Sequence, residues 1–222
     1  MLSNLLHVAD RAMGGAMYSS PLDQYQATLT GGTDIQVTLE RNVRLLHMFA
    51  NLGDGEGQVQ ACDTLTELCR STRRSAAKLV LDQALIDQGA LTSLLVLLRT
   101  ERVEPCRAAA ELLTELTSGA EQRRALVRSG VLQPLLERMR RTADPRLLRE
   151  GARLVAELSA DAGCTAALLR EQAPRALLHL CRSRALPCHE LAVIALGRLS
   201  RADAALHASG TLTKTLIRVA EM

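Results

Sequence analysis

The chain has 222 residues, 47% of them hydrophobic and only 1% aromatic, and a formal net charge of +3. That apolar content fills one sizeable core or one short repeat array. The scarcity of aromatics argues against a β-sandwich and against modules that stack bases on aromatic rings, while so small a charge implies no nucleic-acid partner.

In chain order, residues 1–32 read as an irregular N-terminal segment or cap. Gly14-Gly15, Ser19-Ser20-Pro21 and Gly31-Gly32 punctuate one short helix near 2–13. No basic stretch leads into a long apolar run, so no signal peptide is expected. No run of about 18 apolar residues occurs, so no membrane-spanning segment is expected either. With six cysteines in helical apolar patterns and no spaced framework, the reading is reduced thiols in the cytoplasm or nucleus.

From residue 33 onward the sequence repeats itself. ACDTLTEL at 61–68, AAELLTEL at 109–116, GARLVAEL at 151–158 and AVIALGRL at 192–199 each open on a small residue and close on leucine. The closing leucines Leu68, Leu116, Leu158 and Leu199 stand 48, 42 and 41 residues apart. Periods of about 40–47 residues belong to solenoids of stacked helices. A second series lies between them, with GALTSLLVLL from Gly89, GVLQPLLERM from Gly130, GTLTKTLIRV from Gly210, and APRALLHLC with Ala173 at the corresponding place. Glycine supplies the positive φ that a steep helix-to-helix turn requires. Pro105, Pro145 and Pro187 recur at one phase and open a third helix in each repeat, Asp144-Pro145 reading as N-cap plus first-turn proline.

These signals divide the array into repeats at about 33–73, 74–118, 119–159 and 160–200, with a partial repeat at 201–222. Repeat two carries about seven extra residues near 72–82, read as a longer first helix. The partial repeat leaves Leu212, Leu216, Ile217 and Val219 without a third helix. Because terminal units need a polar outer face, self-association or a further segment is expected there.

The two series together resemble the armadillo repeat family over residues 33–222. The resemblance implies an all-α, right-handed armadillo-type superhelical solenoid of three-helix repeats, with the third helices lining a concave groove. Locally, RRTADPRLLREGA at 140–152 and SGTL at 209–212 resemble the armadillo region of NAD hydrolases that carry SAM and TIR domains; Arg74 is the one ligand-like position carried over. The repeat ends are similar, more weakly, to Inscuteable-type polarity adaptors.

In peptide-binding armadillo proteins an Asn/Trp ladder on the third helices clamps the peptide. Here the Asn positions hold Glu67, Glu115, Glu157 and Arg198, and the Trp positions hold Asp63, Glu111, Arg153 and Ile194. These eight residues form the candidate groove. Asp63/Glu67 and Glu111/Glu115 are like-charged i,i+4 pairs, mutually repulsive on a helix surface, while Arg123, Arg124, Arg128, Arg138, Arg140, Arg141, Arg182 and Arg184 fall on first and second helices. The expectation is an acidic groove on a basic body, suited to a basic peptide or protein segment, with the arginines Arg107, Arg149 and Arg153 available to neutralise it locally.

No catalytic constellation or cofactor motif occurs: there is no G-x-S-x-G and no H-E-x-x-H. Gly53-Asp54-Gly55-Glu56-Gly57 has neither the preceding strand nor the following lysine of a phosphate loop, and reads as a flexible turn. His179, Cys181, Cys188 and His189 have zinc-ligand composition but not finger spacing, and read as core residues rather than a metal site. The leading function is a non-catalytic interaction scaffold. The alternative is a regulatory domain that senses a small anionic ligand and restrains an effector domain.

Overall fold

A computed structural model describes residues 32–75, 77–182 and 186–202. The described residues form eleven helices and no strand. The chain divides into two compact units after Thr38. Of the first, the described part is the opening of α1 (Gly32–Leu52). The second, from Leu39, carries the repeats.

In that unit α2 (Gly55–Ser71) closes repeat one. Repeat two is α3 (Ala77–Asp87), α4 (Ala90–Arg99) and α5 (Val103–Glu115). Repeat three is α6 (Ala120–Arg128), α7 (Leu132–Arg141) and α8 (Pro145–Leu158). Repeat four is α9 (Ala162–Arg170), α10 (Ala173–Arg182) and α11 (Leu186–Ala202). The short helix expected at 2–13 and the partial fifth repeat lie outside the described residues.

Local chemistry starts and stops these helices. Asp144 caps α8 by accepting from the Leu147 N–H at 2.7 Å, with Pro145 in the first turn. Asp161 caps α9 through Gly163 N–H at 2.8 Å. The glycine-rich stretch at 53–57 is not a loose turn: Gly53 takes φ +67°, and Asp54 caps α2 by accepting from Glu56 and Gly57.

The first-to-second helix turns take positive φ at Gly89 (+81°) and Gly130 (+84°). In repeat four this role falls to Gln172 (φ +58°), one residue before Ala173. The glycine position there is held by a residue whose Cβ opposes the conformation, and Ala173 instead begins α10.

Two expectations change. Repeat one has a single 21-residue helix where a first and second helix were expected. In repeat two α3 has 11 residues against nine in α6 and α9, but residues 72–75 form a turn before it. Ser71 and Thr72 hydroxyls donate to the Leu68 carbonyl and Ser75 Oγ accepts from Ala77 N–H, competing with continued helix.

The core is leucine and alanine. Leu68, Leu116, Leu158 and Leu199 are all buried, so the repeat period is also the period of the core. Ala61, Ala109 and Ala192 are buried at the small-residue phase. At Gly151 an added methyl would come within 2.8 Å of Met139 Cγ and Sδ, so that phase is small because a second helix passes close by. All six cysteines are buried and unpaired. Burial pushes the Cys106 thiol up to about 11 and the Cys69 thiol to about 12, which leaves both as inert hydrophobes.

Among the described residues no single helix is long and apolar enough to cross a membrane. The pair α3 and α4 has the composition together but is bent by 71° at the break, and its Leu81, Leu85, Leu94, Leu97 and Leu98 are buried in the repeat core.

Candidate functional site

The third helices α2, α5, α8 and α11 pack side by side in that order. Contacts between them identify their shared face. Arg70 of α2 reaches Glu111 of α5 at 2.5 Å and Glu115 at 3.4 Å. Arg153 of α8 reaches back to Glu115 at 3.5 Å. Arg198 of α11 donates to the Ala156 carbonyl of α8 at 2.5 Å. These contacts, with the charges of Arg107 and Glu111 felt at Asp63, bring Asp63, Glu111, Glu115, Arg153 and Arg198 together across the four helices, while Glu67, Glu157 and Ile194 stand on the same helices at the equivalent repeat positions.

The wall is not uniformly acidic. Asp63 and Glu67 are exposed on α2, and Glu157 is exposed on α8. Glu111 is half-buried and held by Arg70 and by Arg107 at 3.1 Å. Glu115 is 4% exposed, which departs from an open acidic wall. Three guanidiniums converge on it: Arg73 at 2.7 Å, Arg70 and Arg153. Burial pushes the Glu115 carboxyl up, but the hydrogen bond and charge of Arg73, with Arg153 and Arg70, outweigh it and hold the group below its ordinary range. At Asp63 the balance is reversed. Lost solvation raises its carboxyl, and Glu111 and Glu104 add to this against Arg107. Glu115 thus holds its charge firmly, while Asp63 lacks equivalent compensation.

A second polar knot lies beneath Glu115. Lys78 of α3 is 5% exposed and Asp82 is fully buried. The Lys78 ammonium pairs with Asp82 and donates to the Glu115 carbonyl at 2.7 Å, while Ser118 Oγ donates to Asp82. The Glu115 carbonyl at the end of α5 is thereby satisfied by a buried cation from the first helix of the same repeat. Sequence reading missed this knot. Its signal was a Lys/Asp i,i+4 pair inside the apolar pattern of α3, with Lys78 one of only two lysines in the chain.

The expected basic body is largely paired. Arg124 meets Asp161, Arg128 meets Glu121, Arg138 meets Glu101 and Arg141 meets Glu137. Arg123 donates to the Thr117 carbonyl, and Arg140 is exposed; the side chains of Arg182 and Arg184 lie outside the described residues.

Sequence reading also missed a Ser–His contact. Ser93 Oγ lies 2.6 Å from His47 Nδ1, and His47 Nε2 lies 3.3 Å from the Gln88 carbonyl. Ser93 is 3% exposed, so this bond ties α1 to α4 and offers no open hydroxyl. Cys181 and Cys188 are buried, and no group of three potential metal-ligating side chains occurs among the described residues. Arg74, the position suggested by the NAD hydrolase resemblance, is exposed; the neighbouring cluster of Arg70, Arg73 and Arg153 is occupied by the chain's own Glu115.

No family model matches the chain. No curated protein matches it either, so the NAD hydrolase and Inscuteable resemblances gain no support. Solved structures do match. An engineered protein is 22% identical with a TM-score of 0.70, over 85% of this chain and 46% of its own. A designed armadillo repeat protein in complex with the peptide (KR)4 is 19% identical with a TM-score of 0.54, over 92% of this chain and 99% of its own. Computationally designed armadillo repeat proteins for modular peptide recognition are 18% identical with a TM-score of 0.59, over 90% of this chain and 91% of theirs. The fold is therefore an all-α armadillo-type solenoid. Likeness at this identity is a statement about fold, and function has to be argued from the wall itself.

Proposed function

We propose that this protein is a non-catalytic scaffold that holds an extended segment of a partner along the wall formed by α2, α5, α8 and α11. The observation that carries the reading is the wall itself: four helices side by side, α2, α5 and α8 joined by cross-helix ion pairs and α11 by the Arg198 hydrogen bond, with Asp63, Glu67, Arg153, Glu157, Ile194 and Arg198 at the clamp positions of the repeat. The structural neighbours designed for peptide recognition support the same use of the fold.

Asp63 and Glu67 make the α2 end suited to basic residues of the segment, in keeping with electrostatic complementarity as a source of specificity. Glu111 and Glu115 act differently: they hold the floor rigid and contribute little charge outward. Without the Asn ladder, side-chain pairing rather than backbone clamping selects the partner. The proposed setting is the cytoplasm or nucleus, where six buried thiols stay reduced, with self-association through the region after residue 201 as a further expectation.

The test is binding of a labelled Lys/Arg octapeptide, followed by fluorescence anisotropy at rising salt. The wild-type chain should bind and weaken with salt. Asp63→Lys/Glu67→Lys should lose binding by at least tenfold, while the outer-surface control Glu121→Lys/Glu137→Lys keeps it. Equal loss in both variants would place the interaction off the wall and sink the proposal.

A further inference from the structure

The charge of the wall is segregated along the array. The helices α2 and α5 carry six carboxylates and only two guanidiniums, Arg70 and Arg107. The helices α8 and α11 carry five guanidiniums and three carboxylates. The excess is accessible at the two ends. Asp63 and Glu67 are exposed on α2, and Arg201 is exposed on α11 beside half-exposed Arg198. Between them the Arg70–Glu115–Arg153 ladder is closed on itself, with each member of this seam already facing an opposite charge. The α11 end also has the one large apolar side chain exposed on the wall among the described residues, Ile194 at 47%.

From these three zones we infer that the partner segment is a charge-segregated peptide, basic at the end that lies on α2 and acidic with an apolar side chain at the end that lies on α11. This rests on the scaffold reading above and adds its specificity. Neighbouring helices pack about 8–10 Å apart, so three steps from α2 to α11 span roughly 27 Å. An extended chain covers about 3.3 Å per residue, so the two charged blocks belong about eight residues apart. The middle, where the ladder is paired and Glu157 is the exposed clamp carboxylate, discriminates as well. A uniformly basic peptide would bring its far end against Arg198 and Arg201, and like charges at close range oppose binding.

Three labelled decapeptides test this. One carries Lys/Arg at one end and Leu with Asp/Glu at the other. The second has the same residues with charges alternating, and the third is uniformly basic. The segregated peptide should bind at least about tenfold tighter than the alternating one and tighter than the basic one, by anisotropy at low salt. Asp63→Lys/Glu67→Lys and, separately, Ile194→Glu/Arg201→Glu should each erase that preference. The fourfold variant, with both ends inverted, should restore it, because the peptide can lie in the opposite direction. Circular dichroism melts establish that each variant is folded. Equal binding of the segregated and alternating peptides, or tightest binding of the basic one, overturns this inference and leaves the scaffold reading standing. Failure of all three peptides to bind overturns both.

Discussion

The two seams of the wall are built differently. Between α2, α5 and α8, guanidiniums and carboxylates interlock, with Glu115 as the buried centre and Lys78–Asp82 beneath it. Between α8 and α11, Arg198 donates to the Ala156 carbonyl and the weak Cys188 thiol donor lies 4.0 Å from the Pro145 carbonyl, and the neighbouring clamp position is the apolar Ile194. The first seam stores charge where removing one partner is costly. The second relies on leucine and alanine packing, which tolerates surface change. A buried ion pair contributes little over an apolar pair of similar shape, but breaking it leaves an uncompensated charge.

The contrast can be broken most sharply at Lys78. Lys78→Met leaves Asp82 buried beside the Ser118 hydroxyl and the weak Cys69 thiol donor, and should cost about 3–5 kcal/mol in urea melts. Lys78→Met/Asp82→Leu should recover most of it, and a double variant as unstable as the single would mean that the two groups do not act as a pair. Glu115→Gln should cost about 3 kcal/mol, at the low end for a buried partner because its arginines stay partly solvated. Its pH signature has a definite sign. The folded state holds Glu115 below the ordinary value of 4.5, so its contribution is complete above that value and is lost as pH falls through the depressed one. Wild-type stability should therefore fall more steeply with acid than that of Glu115→Gln, and parallel curves would contradict the assignment.

Packing changes come next. Gly151→Ala must displace Met139, whose thioether chain can yield, so about 1 kcal/mol of destabilisation is expected by thermal melting. Gln172→Gly should instead stabilise by about 0.5–1 kcal/mol, because it relieves the left-handed penalty against a smaller entropic cost. The smallest effect belongs to the open end of the wall. Asp63→Lys/Glu67→Lys should move stability by less than about 0.5 kcal/mol, so that its binding phenotype reports on the surface and not on folding.

Much of the architecture was legible along the chain. The closing leucines, the proline phase and the cap at Asp144 are local signals, and each sits where the repeat needs it. Misreadings arose where local signals were ambiguous. Gly53–Gly57 has a loop's composition but a cap's geometry. The residues after Ser71 were read with a longer first helix, yet the hydroxyls of Thr72 and Ser75 bind backbone groups there and a turn intervenes. The glycine phase slipped by one in repeat four because Gln172 takes the conformation without the usual residue.

The candidate wall was legible as positions but not as chemistry. Glu67 and Glu115 occupy the same phase of successive repeats and look equivalent in sequence. They differ because Arg70, Arg73 and Arg153 stand 45, 42 and 38 residues from Glu115, close to one repeat period, and stacking carries them onto it. Once the period is known, those spacings are the signal. The sequence by itself determined helix type, repeat length and the leucine core, since these follow from contacts within a few residues or from periodicity. Only the tertiary structure decided which carboxylates stay open to a partner and which are locked into the floor, because that depends on the charges brought up by the neighbouring repeat.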